Sequence, residues 1–188
     1  MCIRDSFLHH IFLDTLEQIN QSFWAYLRGF TQMQDKIGWI GLGSMGNRMA
    51  KNLAKKGYQM LVTDKMDTSA APQSAHVATT NSEVISEANI LILSIPAGPD
   101  TLEITQEILN SPSSSVEIVI DTSTIGIPDA KKAAELLSKK GIEYVDAPVS
   151  GGIAGADSAT LAVMVGCKED IFENCLLYTS PSPRDFTE

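Results

Sequence analysis

The stretch Lys36–Gly57, KIGWIGLGSMGNRMAKNLAKKG, sets an apolar run, a glycine-rich turn and a helix-length segment end to end. The apolar run reads as a strand and Met45–Lys56 as a helix. Between them Gly41, Gly43 and Gly46 carry the G-x-G-x-x-G spacing. In a dinucleotide-binding loop the first glycine permits the tight turn and the second lets a pyrophosphate approach the backbone; the third lets helix and strand pack closely. The helix N-terminus would bring free N–H groups and a positive dipole end to the same spot. A glycine-rich turn without a ligand looks the same in isolation, but the order strand, loop, helix favours the dinucleotide.

Working outward, the next candidate strand, QMLVTD, ends at Asp64. An acidic residue roughly 20 positions beyond the first glycine is where the adenosine ribose finds its hydrogen-bond acceptor. A carboxylate there repels a 2'-phosphate, so NAD is expected, with NADP as the alternative because Lys65 stands next door. The other reading of Asp64 is a strand-end aspartate that opens a turn. Further candidate strands are HVAT, NILILSIP, EIVIDTS, IEYVDAP and LAVMVG, with helix-length segments at Ser82–Ala88 and Asp129–Lys140. Runs such as ILIL and IVI are apolar on both faces, as strands covered by helices above and below must be. The expected fold class is α/β, a doubly wound, mainly parallel sheet. Gly57 and Gly141 follow lysine-rich helix ends, where a C-cap glycine belongs.

The stretch Asp146–Gly166, DAPVSGGIAGADSATLAVMVG, places Ser150, Gly151 and Gly152 just past the end of a candidate strand, where doubly wound sheets bind ligands. Two glycines and a hydroxyl offer donors suited to a carboxylate. Alone, the stretch could equally be a flexible turn. Taken together, IGWIGLGSMGNRMAKNL, DTSTIG and DAPVSGG, in this order, resemble the β-hydroxyacid dehydrogenase family, over roughly Lys36 to Glu173. The resemblance implies a Rossmann-type domain and hydride transfer between NAD and a small 3-hydroxy carboxylate, of the 3-hydroxyisobutyrate or 2-hydroxy-3-oxopropionate class. It implies cofactor contacts from Gly41, Leu42, Gly43, Ser44, Met45, Gly46 and Asn47, from Asp64, from Ile95 and Pro96, and from Thr124. Substrate contacts are implied at Ser150, Gly151 and Gly152. Ser123 joins the candidates as a hydroxyl at the end of EIVIDTS, although Ser123 and Thr124 could simply cap the following turn.

The chain departs from the family pattern in places. Ala159 stands where Gly-Thr-Leu usually begins, Cys167 where a second glycine follows MVG, and Ile95 where leucine is common. The resemblance also places a catalytic lysine on a second, all-helical domain, which is expected to be missing here. Transferring a hydride from a hydroxyl leaves a proton for some base. Lys51, Lys55, Lys56, Lys131, Lys132, Lys139, Lys140 and Lys168 read as solvated residues, and His76 as structural. No catalytic residue is therefore expected in this chain, and its activity is expected to be incomplete. Related readings are an imine reductase or a 6-phosphogluconate-type NADP enzyme; a non-catalytic dinucleotide-binding module is the reading from another class.

The bulk numbers narrow the partners. A net charge of −9 disfavours nucleic acid and anionic membrane, leaving a small-molecule hydroxy acid. Two of the three cysteines, Cys2 and Cys175, lie near the ends, which leaves Cys167 without a disulfide framework and makes the cytoplasm the expected compartment. Residues 1–6 can be encoded by DNA whose reverse complement, shifted by one base, encodes Cys175–Tyr178. This resembles a transposase end used in preparing sequencing libraries. Residues 1–6 and 175–188 are thus expected to be adapter-derived, against the alternative of an ordinary Ser/Pro-rich tail. Residues 7–35 form an uncertain leader: Leu8, Phe12, Leu16, Ile19, Phe23 and Leu27 fit one face of an amphipathic helix, while Met33 could equally be the start. Residues 36–174 are expected to be the dinucleotide-binding domain, cut short, of a parent that forms homo-oligomers through its helical domain.

Overall fold

The run Ile90–Leu93, ILIL, is buried at all four positions, as only a strand with cover on both faces can be. A computed structural model of the chain describes residues 36–167 and places this run, β4, near the middle of a six-stranded sheet. Its companions are β1 (Ile37–Ile40), β2 (Met60–Thr63), β3 (His76–Val77), β5 (Ile118–Asp121) and β6 (Glu143–Asp146). The strand order is β3-β2-β1-β4-β5-β6, and every pairing in this sheet is parallel. The expected doubly wound α/β fold is what forms. The expected leader helix, the chain ends at 1–6 and 175–188, and Lys168 lie outside the described residues.

Side chains alternate between two cores. Ile37, Trp39, Met60, Val62, Ile90, Ile92, Ile118 and Ile120 point to one face, covered in part by helix α1 (Gly46–Lys55). Ile40, Leu91, Leu93 and Val119 point to the other, where α2 (Asn81–Glu87), α3 (Gly98–Asn110) and α4 (Ile127–Ser138) contribute Val84, Ile104, Ile108, Ala130 and Leu137. At Gly38 an added Cβ would meet Val84, Ala88 and Leu91, so the missing side chain is what lets α2 lie close on β1. The two lysine-rich helix ends close as expected. Gly57 takes φ +91°, and the Tyr58 N–H reaches back to the Leu53 carbonyl at 3.3 Å; Gly141 takes φ +73°, with the Ile142 N–H on the Leu137 carbonyl at 3.1 Å.

Two elements differ from the sequence reading. Gly98–Asn110, which no motif singled out, is the longest of the described helices. The run LAVMVG does not extend the parallel sheet. Its Ala162–Val163, β8, pairs antiparallel with β7 (Val149–Ser150), and Gly166 bridges antiparallel to Asp146. The reason is the short connection: only α5 (Gly152–Ser158) separates β7 from β8, and a parallel return needs a crossover of a dozen or more residues. Helix α5 leans on α1 through an Arg48–Asp157 ion pair at 2.7 Å and a hydrogen bond from Asn52 Nδ2 to the Ala156 carbonyl at 2.7 Å. No helix among the described residues is long and apolar enough to cross a membrane.

Candidate functional site

Sheet order reverses between β1 and β4, and in such sheets the carboxyl ends of the flanking strands part to leave a crevice. Here a cleft of about 1140 Å³ opens at that point. Gly41–Asn47 line it from β1, Thr63–Asp67 from β2, Ser94–Pro96 from β4 and Thr122–Thr124 from β5. Val149 and Gly152 close it from the far side.

The glycine loop is pinned from several directions. The Gly41 N–H donates to the Thr63 carbonyl at 3.0 Å, and the Gly41 carbonyl accepts from the buried Trp39 indole at 2.8 Å. Gly41 sits at φ +103°, and a Cβ there would collide with the Ser94 carbonyl; one on Gly46 would collide with the Gly41 carbonyl. Around Gly43, by contrast, the position of a Cβ is open space. The three glycines thus divide their work as the motif demands: two permit close backbone packing, and one leaves room over the loop. Asn47 Nδ2 donates to the carbonyls of Gly43 and Leu42, at 2.5 and 3.3 Å. Just inside the loop, α1 begins at Gly46; the N–H groups of Asn47, Arg48 and Met49 are taken by the Gly43 and Met45 carbonyls, so donors for a ligand come from the loop before them. The residues present therefore fit a dinucleotide: the loop leaves room for a pyrophosphate and offers it donors.

Asp64 opens a turn, as the alternative reading of the sequence had it, and takes on a second task that the sequence did not suggest. Its Oδ2 accepts the Leu42 N–H at 2.6 Å, while its Oδ1 accepts those of Met66 and Asp67 at 2.8 and 3.1 Å. It therefore opens a turn and braces the glycine loop with the same group. Asp67, exposed at the rim, is held below the usual carboxylate range by the Ser69 hydroxyl and backbone N–H. Lys65 lines the cleft next to Asp64, with its ammonium 3.9 Å from Glu103 of α3.

On the other side, the Ser123 hydroxyl accepts the Ile95 N–H at 2.9 Å, and the Thr122 hydroxyl donates to the Leu93 carbonyl at 2.7 Å. These bonds join the loops that follow β4 and β5. Of the candidate substrate residues, Ser123 and Gly152 line the cleft; Ser150 and Gly151 are exposed and not among its lining residues. Sequence reasoning missed Thr79–Asn81 and the Asp100, Glu103 and Glu107 wall of α3. A signal for the first was present in TNSE, because Thr80 caps α2 by accepting the Glu83 N–H at 3.2 Å while Glu83 accepts the Thr79 N–H at 2.9 Å. For the second there was none, since nothing in the sequence aims α3 at the cleft. Of the residues read as solvated or structural, Lys51 and Lys55 are exposed on α1, Lys56 is exposed just past its end, and His76 is exposed on β3.

Helix α5 ends on Ala159 at φ +58°, the one non-glycine residue with positive φ among those described. This is the position where the family pattern carries glycine. An Ala159→Gly change relieves the left-handed strain, and chemical denaturation should show a gain of about 1 kcal/mol.

A parallel sheet with a glycine loop at its switch point and an acidic residue ending the neighbouring strand defines a dinucleotide-binding domain. Residues 36–177 match the family described as the NAD binding domain of 6-phosphogluconate dehydrogenase. The chain is 38% identical over 148 residues to 2-(hydroxymethyl)glutarate dehydrogenase of Eubacterium barkeri, covering 73% of this chain and 48% of that protein. It is 36% identical over 157 residues to the mitochondrial 3-hydroxyisobutyrate dehydrogenase of Homo sapiens, covering 80% and 46%. Among solved structures, the 3-hydroxyisobutyrate dehydrogenase of Mycobacterium tuberculosis with L-serine superposes with a TM-score of 0.68 at 33% identity, covering 78% of this chain and 51% of that one. The chain belongs to the β-hydroxyacid dehydrogenase family and carries its N-terminal, NAD-binding domain. It spans about half the length of the curated relatives it matches.

Proposed function

We propose that this chain supplies the cofactor half of an oxidoreductase that transfers a hydride between NAD and a small 3-hydroxy carboxylate. The observation that carries the reading is the single cleft joining the glycine loop and Asp64 at one end to Val149 and Gly152 at the other. NAD, when bound, supplies the nicotinamide that gives or takes the hydride. Gly41–Asn47 hold its pyrophosphate against the loop and the start of α1, and Asp64 accepts from the adenosine ribose while it keeps the Leu42 N–H. Ile95, Pro96 and Thr124 flank the reacting end, and Ser123 fixes the loop that carries Ile95. Gly152, with Ser150 and Gly151 at the margin, receives the substrate carboxylate. Of the described lysines only Lys65 lines the cleft, and it sits at the Asp64 end beside Glu103. The proton-transfer group is accordingly assigned to a residue outside those described. The relatives named as acting on hydroxymethylglutarate and 3-hydroxyisobutyrate support a short hydroxy carboxylate as the substrate class.

Calorimetric titration of NAD and NADP tests the reading. The unmodified chain is expected to bind NAD the more tightly of the two. Asp64→Ala should weaken NAD by about tenfold or more, the value of losing a charged acceptor for ribose hydroxyls, and should narrow the gap to NADP. Equal NAD affinity in both forms would remove Asp64 from the site. If neither dinucleotide binds the unmodified chain, the cofactor reading fails.

A further inference from the structure

Two loops of the cleft hang from one buried side chain. Asp121, the last residue of β5, has no exposed surface. Its Oδ2 accepts from the Thr101 hydroxyl of α3 at 2.9 Å and from the Tyr144 hydroxyl of β6 at 3.0 Å. Its Oδ1 accepts the Ser123 N–H at 2.9 Å, and the Ser123 hydroxyl in turn accepts the Ile95 N–H at 2.9 Å. One carboxyl group thereby joins a helix, a strand and the loops after β4 and β5.

Stability alone does not account for it. The parallel partners of Asp121 are Leu93 and Asp146, and its neighbours along the strand, Ile120 and Val119, are apolar and buried. At a core site a well-packed apolar side chain is often as stabilising as a satisfied polar one. What an apolar side chain cannot do is orient: it has no acceptor for the Ser123 N–H, and without that bond the Ser123 hydroxyl is not held beneath Ile95. Three donors converge on the one carboxyl group, and a satisfied buried network of this kind rigidifies the elements it joins.

We propose that Asp121 is a positioning residue for the nicotinamide half of the cofactor, acting through Ser123 on the loop that begins at Ile95. The proposal rests on the cofactor reading given above. Because Asp64 sits at the end of β2, the adenosine lies over that side of the sheet, and the nicotinamide lies on the opposite side, over β4 and β5. Thr101 and Tyr144 serve as anchors that set the Asp121 rotamer; neither lines the cleft.

The test compares NAD with ADP, which shares the adenosine and the pyrophosphate but lacks the nicotinamide riboside. In Asp121→Val, which has no acceptor for the Ser123 N–H, NAD affinity should fall about tenfold while ADP affinity stays within about twofold. Tyr144→Phe, remote from the cleft, should shift the same ratio in the same direction by a smaller factor. A separate readout needs no ligand: amide hydrogen exchange at Ile95 and Ser123 should quicken in Asp121→Val while the β4 amides of Leu91 and Ile92 keep their protection. Should Asp121→Val fail to fold, Ser123→Ala and Tyr144→Phe carry both comparisons. Equal loss of NAD and ADP, or unchanged exchange at Ile95 and Ser123, overturns the proposal. An unmodified chain that binds ADP but gains nothing from the nicotinamide sinks the cofactor reading instead, and the exchange comparison still decides whether Asp121 holds the loops.

Discussion

Gly41→Ala is expected to lose about 3–5 kcal/mol of folding stability, as the sum of two separate penalties. The first is conformational: φ +103° lies where a side chain is strained whatever room it has, at roughly 1–3 kcal/mol. The second is steric, because the new methyl group would be driven into the Ser94 carbonyl, a backbone atom that cannot swing aside. Relief would require moving the end of β4 away from β1, and those ends carry both Ile95 and the glycine loop. Urea denaturation should therefore show the loss of stability, and an NAD titration of whatever remains folded should show binding lost with it. A variant of unchanged stability would mean that the turn at Gly41 is not the one described.

Leu91→Ala should cost a similar amount, about 2–5 kcal/mol, and leave the site alone. Leu91 is fully buried on the face covered by α2, with β1 on one side of it and β5 on the other. Strands locked on both edges cannot close in around a lost side chain, so the cavity remains and the cost falls in the upper part of the range. Leu91 does not line the cleft. The folded fraction should hence bind NAD as the unmodified chain does, and the pair of variants separates damage to the core from damage to the loop. Comparable loss of NAD binding in both would show that the cleft is not mechanically independent of this layer.

What the sequence disclosed and what it hid follow from the range of each interaction. Gly41, Gly43 and Gly46 announce themselves because a turn, a ligand approach and a helix packing contact fall within six residues. Asp64 was legible because the spacing of a strand–loop–helix–strand unit is nearly fixed. Helix α3 was not. Its inward stripe contains Thr101 and Thr105 among Ile104 and Ile108, and threonine weakens an apolar pattern. Those hydroxyls are satisfied by Asp121 and by the Thr101 carbonyl, partners that appear only when the chain has folded. The direction of β8 was hidden for a related reason: an apolar run says that it is buried, not which neighbour it meets. Ala159 is the opposite case. Its departure from glycine was visible in the sequence, but the left-handed backbone that gives the departure a cost was not.

The central place of β1 also has a meaning in time. β1 is the first strand among the described residues, yet one of its two edges is completed only by Ile90–Leu93. A ribosome adding about 5–20 residues per second delivers Ile90 roughly three to ten seconds after Ile40. Over that interval one side of IGWI offers a row of unpaired backbone groups that any extended chain could join. For a cell making this protein, the hazard of misassembly is concentrated in the synthesis of those fifty residues, before any cofactor could arrive to help.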